Sequence, residues 1–304
     1  AMVLENACLF SNLNNSLQSL GSAHQKIKAY SQALDQELEK CRQIQMSFLP
    51  SQLPRLANWQ IEEFFFPARR VSGDFYDAFM LPGGYVGLVI GDVCDKGVGS
   101  ALFMALFRSL IRIFSGQTHL CKHLCESFIE AGQKKTGDMI ILQENIDVEQ
   151  INPLTAVALT NEYIAQDNEM SMFATLFFGV LDPRNGNLLY VNGGHEAVFV
   201  IDQNGVRERL LPTGPSVGIF QEAKFTYKKT QLQPGDILFG YTDGVIDARS
   251  PSEERFTKRR LFSLLSQPVD SALELTQKIA TSLFAHIGKA AQEDDITMLT
   301  LQRK

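Results

Sequence analysis

No unbroken apolar run in this chain approaches the ~18 residues that a membrane span requires, so nothing in it reads as a transmembrane segment. Cysteine is scarce. There are 5, an odd number with no C-x-x-C pair, which argues against a disulfide framework and for a reducing, cytoplasmic setting. None of the five is followed six positions later by Arg: those places hold Asn14, Ser47, Ser100, Ser127 and Ala131, so a cysteine-nucleophile phosphate loop is excluded. The G-x-x-x-x-G-K-[ST] loop of nucleoside triphosphatases is absent too. Basic residues are outnumbered, 28 Lys and Arg against 34 Asp and Glu for a net charge of -6, which leaves no footprint for nucleic acid. No secretory leader opens the chain, and Ala1-Met2 has the look of an added start, so the natural protein is expected to continue upstream.

What remains is a composition with ample core, 45% hydrophobic and 20% charged over 304 residues. Residues 16 to 48 read as one long helix. Leu20, Ile27, Leu34, Cys41 and Phe48 recur every seven residues, with Ala23, Tyr30 and Ile44 between them. Glu37 interrupts the second stripe and Leu38 widens the seam. Two readings stand side by side: a signalling helix that forms a homodimer and relays an upstream input, or a helix docked on its own domain. Pro50 and Pro54 end it, which divides the chain into 1–49, a linker helix, and 50–304, a domain. From residue 59 strand-like runs dominate, "WQIEEFFFPA", "YVGLVIGDV", "FATLFFGVLD", "LLYVNGG", "EAVFVID" and "DILFGYTDG", with "DPRNGN" as a hairpin turn. Helices are expected at 98–114, 119–131, 153–166, 257–266 and 270–286, and a polar insertion or flap at 115–152. Strands mostly neighbour strands, so an antiparallel core with helices outside is favoured.

Acids recur where strands end: Asp74 and Asp77 in "VSGDFYD", Asp92 and Asp95 in "GDVCDKG", Asp243 in "YTDGV", and Asp294-Asp295 in "QEDDITML". In three of the four, glycine is adjacent. Each Asp alone is an ordinary turn former or cap. Together, carboxylates at apolar strand ends are costly unless a counter-charge sits among them, and an all-oxygen set suits Mg2+ or Mn2+ rather than zinc. Adjacent glycines let backbone or an anion approach closely. The "HLCKHLC" segment does not compete as a metal site: on a helix, His119 and His123 share a face about 200° from Cys121 and Cys125. "GPSVG" at 214–218 matches G-x-S-x-G but follows Pro212 with no helix after it, so it reads as a loop near the site.

"PARRVSGDFYDAF", "GLVIGDVCDKGVGSALFMALFRS", "MFATLFFGVLDP", "LLYVNGGHEAVFVI", "GDILFGYTDGVIDAR" and "EDDITMLTL" stand in the order found in SpoIIE/RsbU-type members of the metal-dependent (type-2C, PPM) protein phosphatases, which the chain resembles over about residues 42–302. The resemblance implies an α+β fold, an αββα sandwich of two antiparallel sheets flanked by helices and here preceded by the long N-terminal helix. It implies hydrolysis of phosphoserine or phosphothreonine on a small anti-sigma-factor-antagonist-type protein, by water activated between two Mn2+ or Mg2+ ions. By motif, Asp74, Asp92, the carbonyl of Val93, Asp243 and Asp294 resemble the metal ligands, Asp92 bridging both ions. Asp77 and Asp295 are candidates for the layer behind them, and Gly244 for keeping the backbone beside Asp243 unobstructed. The helix 98–113 is expected to move between arrangements that complete or dissolve the site. "VLENACLFSNL" resembles the exit helix of a GAF-type sensor.

The chain departs from many relatives in having Asp95-Lys96-Gly97 where they carry Gly-His-Gly. Lys96 is either a phosphate contact or a solvated turn lysine; Arg69 and Arg70 are either substrate contacts or solvated; His195 is either a proton carrier or a hairpin histidine near a sheet edge. A different class of function, a catalytically weak phosphatase-like binding module, is the alternative; retention of Asp74, Asp92, Asp243 and Asp294 together favours the enzyme. A metal-dependent nucleotide cyclase would also use paired Asp, but no base-binding motif is present.

Overall fold

Side chains on a strand point alternately to opposite faces, and that alternation sets the layers of this protein. The computed structural model describes residues 2–116, 153–166 and 168–304. Its elements are α1 (Met2–Phe48), β1 (Trp59–Phe66), β2 (Asp74–Met80), β3 (Val86–Val93), α2 (Val98–Phe114), α3 (Pro153–Gln166), β4 (Ala174–Leu181), β5 (Asn187–Gly193), β6 (Val198–Asp202), β7 (Gly205–Leu210), β8 (Lys228–Gln231), β9 (Ile237–Tyr241), α4 (Gly244–Asp247), α5 (Thr257–Leu265), α6 (Ala272–Ile287) and β10 (Ile296–Arg303). Two antiparallel sheets result, ordered β2-β3-β4-β5-β8 and β1-β10-β9-β6-β7.

In β3, Leu88 and Ile90 enter the cluster between the sheets with Phe177, Val198, Leu238 and Leu299. The intervening Val89 points the other way, into a cluster with Met104, Phe107 and Ile111 of α2 and Ala156 and Val157 of α3. On the second sheet Phe239 and Met298 face outward against Leu261 of α5 and Leu275, Ile279 and Leu283 of α6. The layers are therefore helix, sheet, sheet, helix, the expected αββα sandwich. Each buried Leu, Ile or Phe in these clusters contributes about 1.5–3 kcal/mol of transfer free energy.

The chain divides into two compact units, Ala1–Ile44 and Gln45–Lys304. The second thus starts at Gln45, ahead of the residue-50 boundary read from Pro50. In the first unit the helix runs unbroken from Met2, so "VLENACLFSNL", read as an exit helix, and the helix expected over 16–48 are one element. Its apolar stripe, Leu20, Ile27 and Leu34, is exposed. The expected 119–131 helix, the "HLCKHLC" segment and all but the first two residues of the 115–152 insertion lie outside the described residues.

Asp77 does not back the acid cluster. It lies three residues after Asp74 on β2, an odd step that turns it to the opposite face, beside its ladder partner Val89 and under α2. There it is fully buried and ion-paired to Arg108 at 2.8 Å and, through both carboxylate oxygens, to Arg112 at 2.6 and 2.7 Å. Its work is to fix α2 on the sheet. Asp77→Asn removes the buried carboxylate that both arginines share and is expected to lower the unfolding free energy by roughly 3 kcal/mol in urea titrations. A loss below about 1 kcal/mol, the range of exposed pairs, would contradict this anchoring role.

Candidate active site

The ladder between β2 and β3 sets Asp74 directly opposite Asp92. Directly opposed residues share a face, so both carboxylates stand at the same end of the inter-sheet layer, continuing the row of Leu88 and Ile90. From the other sheet, alternation past Leu238 and Gly240 brings Thr242 to the same layer, and Thr297 precedes inward-facing Leu299 and Leu301 by the same rule. Both hydroxyls donate to Asp74 Oδ2, Thr242 at 2.7 Å and Thr297 at 2.6 Å. Thr242 also stitches the strand ends, its Oγ1 accepting from the Thr297 amide at 3.1 Å. The next residue, Asp243, and the acids just before β10, Asp294 and Asp295, follow from this pairing of β9 and β10.

The acids interact strongly. Burial raises the Asp92 carboxyl to about 7, with Asp243 and Asp294 adding repulsion and a hydrogen bond from Asp74 partly offsetting it. Asp74 is pushed well above the ordinary carboxylate range by burial and then by Asp92 and Asp295, against the pull of the two threonine hydroxyls. Asp243 is raised by burial first and then by Asp294, Asp247 and Glu196. Residues 74, 92, 243, 294 and 295, scattered along the sequence, therefore share one electrostatic neighbourhood.

Asp295 and Asp294 divide their tasks. Asp295 is buried and saturated: Oδ1 accepts from the Ala68 amide at 2.7 Å, and Oδ2 from Ser72 Oγ at 2.7 Å and the Gly73 amide at 3.1 Å. It thereby holds the loop that delivers Asp74. Ser72 is clasped from the other side by Gln45, in the last turn of α1, which donates to the Ser72 carbonyl at 2.5 Å and accepts from its amide at 3.0 Å. Asp294 is partly exposed and accepts from Lys96 Nζ at 3.0 Å.

Two glycines are sterically required. A Cβ on Gly73 would sit 2.7 Å from the Val93 carbonyl oxygen, and one on Gly244 would sit 1.9 Å from the Asp295 carbonyl. Gly244 thus lets the α4 turn lie against Asp294-Asp295. The "GPSVG" loop is beside the site, bridging through Val217 to Ala174, the ladder partner of Val93.

His195 is not at an exposed edge. It is buried, with Nδ1 3.0 Å from the hydroxyl of Thr175, the residue opposite Asp92 on β4, and burial holds its ring neutral, lowered to about 4. Arg69 and Arg70 are exposed on the loop between β1 and β2. Sequence reasoning missed Thr242, Thr297, Ser72 and Gln45. The first two lie inside the quoted "YTDG" and "DDIT", so their signal was adjacency to the acids; Gln45 had none.

The donor set suits a hard divalent cation: carboxylates and a backbone carbonyl, oxygen throughout, with mutual repulsion that a cation relieves. Among the described residues no three His, Cys, Asp or Glu side chains are already gathered tightly enough to cage an ion. The acids share one field without forming a closed cage.

Among known proteins, the family model described as "Stage II sporulation protein E (SpoIIE)" matches residues 82–304. Protein IcfG of Synechocystis sp. is 49% identical over 275 residues, 88% of this chain; the chain spans only 41% of that protein's length. Phosphoserine phosphatase RsbU of Bacillus subtilis is 25% identical over 92% of this chain and 74% of RsbU. The solved SiaA-PP2C domain of Pseudomonas aeruginosa shares the fold at a TM-score of 0.67 and 20% identity, covering 91% of this chain and 99% of that one.

Acids whose folded pKa is raised destabilise the folded state once pH climbs past their unfolded value. With Asp92 at about 7, and Asp74 and Asp243 shifted the same way, the native state holds more protons than the unfolded one from about pH 4 to 7. In EDTA, the urea midpoint is expected to be higher at pH 5 than at pH 8, and Asp92→Asn is expected to flatten the difference. A midpoint that rises from pH 5 to 8 would show that the acids are not in mutual conflict.

Proposed function

The chain belongs to the SpoIIE family, and from that premise we propose that it is a metal-dependent phosphoprotein phosphatase. Its substrate is phosphoserine or phosphothreonine on a small regulatory protein of the anti-sigma-factor-antagonist type. The observation that carries the reading is the convergence of Asp92 with Asp74, Asp243 and Asp294 at one end of the inter-sheet layer. In this reading Asp74, Asp92, the Val93 carbonyl, Asp243 and Asp294 would hold two Mn2+ or Mg2+ ions. When bound, the ions supply a lowered pKa for water and neutralise charge developing on the phosphoryl oxygens.

The chain's own residues supply orientation. Thr242 and Thr297 fix the rotation of Asp74 through Oδ2. Asp295 fixes the approach of the Gly73-Asp74 backbone, and Gly73 leaves the Val93 carbonyl unscreened. His195, neutral and enclosed behind Thr175, is set apart from substrate protons, so general-base catalysis by histidine has no support here. The binding-module alternative would need none of this converging acid set.

The deciding measurement is phosphate release from a phosphorylated antagonist-type protein, with and without Mn2+. Wild type is expected to require the metal, and Asp92→Asn and Asp243→Asn to lose at least ~100-fold, the scale of removing one positioned charge from a transition state. Metal-independent release sinks the mechanism; tight binding of the phosphoprotein without release favours the binding module.

Regulation is proposed to pass through α1, on which a homodimer would form and to which a GAF-type sensor would connect upstream. Gln45 gives that helix a direct grip on Ser72 and so on the Asp74 loop. A chain beginning at Gln43 is expected to need more Mn2+ for half-maximal rate than the full chain. Identical rates and metal dependence would remove α1 from the control of the site.

A further inference from the structure

The turn between β3 and α2 is shaped to carry a lysine onto one of the acids. Asp95 adopts the left-handed conformation (φ 68°), supported by its own Oδ1 accepting from the Lys96 amide at 2.8 Å, and Gly97 follows at φ 101°. These two bends send Lys96 across the cleft to the segment before β10. Its Nζ lies 3.0 Å from Asp294 Oδ1 and donates to the Glu293 carbonyl at 2.7 Å. Asp294 Oδ1 also accepts from the Asp295 amide at 3.0 Å, so this oxygen already has two donors.

The same ion pair is built to open. The Lys96 and Asp294 side chains are 36% and 39% exposed, a setting in which a pair contributes at most about 1 kcal/mol. Beside them a cleft of about 100 Å3 is lined by Lys96, Asp247, Arg249, Glu293 and Asp294 among others. The other charges around it are already paired with one another: Arg249 with Glu253 and Glu293, both at 3.2 Å, and Arg255 with Asp247 at 2.9 Å.

We propose that Lys96 is a tethered counter-cation that competes with divalent metal for Asp294, a brake on loading built into the Asp95-Lys96-Gly97 turn. The proposal rests on the reading of Asp294 as a ligand. It gives Asp294, alone among the four acids read as ligands, a counter-charge from within the chain. It also separates two roles for this lysine, since a phosphate contact would act on substrate and not on metal.

The test is Mn2+ titration of the full chain by calorimetry, without substrate. Lys96→Met is expected to tighten the Mn2+ dissociation constant about two- to fivefold, the release of one exposed pair. Arg249→Met, the same charge loss in the same cleft without a contact to Asp294, is expected to shift it by less than half as much. In an Asp294→Asn background, where binding is weaker, Lys96→Met is expected to be silent. Unchanged or weaker binding in Lys96→Met overturns the proposal, as does an equal shift from Arg249→Met, which would show a general field. Unchanged binding in Asp294→Asn alone would instead overturn the ligand reading beneath it, and the brake with it.

Discussion

Two carboxylates pressed together by a β-ladder are the constraint from which the rest of the molecule takes its arrangement. Asp74 and Asp92 are directly opposed on neighbouring antiparallel strands, where side chains approach closely and like charges destabilise. Neither can move away without breaking the register, and a slip of one residue would turn Leu88 and Ile90 out of the core. The apolar layer thus forces the acids to meet. Around them the chain places hydrogen-bond donors that soften the conflict without abolishing it. Thr242 and Thr297 reach Asp74 from the opposite sheet, while Ser72 and two amides satisfy Asp295.

That arrangement makes the two sheets interdependent. The donors to Asp74 come from β10 and the end of β9, while Asp295, just before β10, anchors the loop into β2. Separating the sheets would cost more than their apolar contact, because each leaves the other's buried polar groups unpaired. On the outer face Asp77 ties α2 to β2 through Arg108 and Arg112, so the strand that offers Asp74 inward also holds the helix outward. α2 and the acid end of the cleft are therefore joined through β2, on which the two aspartates stand three positions apart.

Much of this was legible in the sequence. Strand runs bounded by Gly, Pro and Asn gave the two sheets because half-buried antiparallel strands alternate visibly, and the helices 98–114 and 153–166 coincide with α2 and α3. The acids stood out because Asp at the end of an apolar run is costly. Asp77 misled for the same reason: proximity to Asp74 in the chain suggested a shared site, whereas the odd spacing on a strand places it on the other face. Gln45, Ser72 and Lys96 could not be read, since their partners are 27, 223 and 197 residues away and nothing in a polar residue's identity names a distant acceptor. The continuity of α1 was not legible because "VLENACLFSNL" and the helix over 16–48 read as separate segments.

The energetic logic of the cleft runs against stability. Raised carboxyls mean that folding concentrates charge where water is scarce, and natural sequences retain such conflict chiefly where it does something. A bound cation would turn the conflict into stabilisation, about 2.7 kcal/mol at a hundredfold excess over its dissociation constant. Lys96 supplies a weaker version of the same remedy from within the chain. A single ammonium on a flexible stem relieves one acid, Asp294, and leaves Asp74, Asp92 and Asp243 in their shared field. The site is thus partly neutralised yet still strongly attractive to a doubly charged ion. With Asp294 as a ligand, affinity for that ion would carry a term for Lys96 competing over one carboxylate, and such a term would be tuned by anything that shifts the Asp95-Lys96-Gly97 turn at the start of α2.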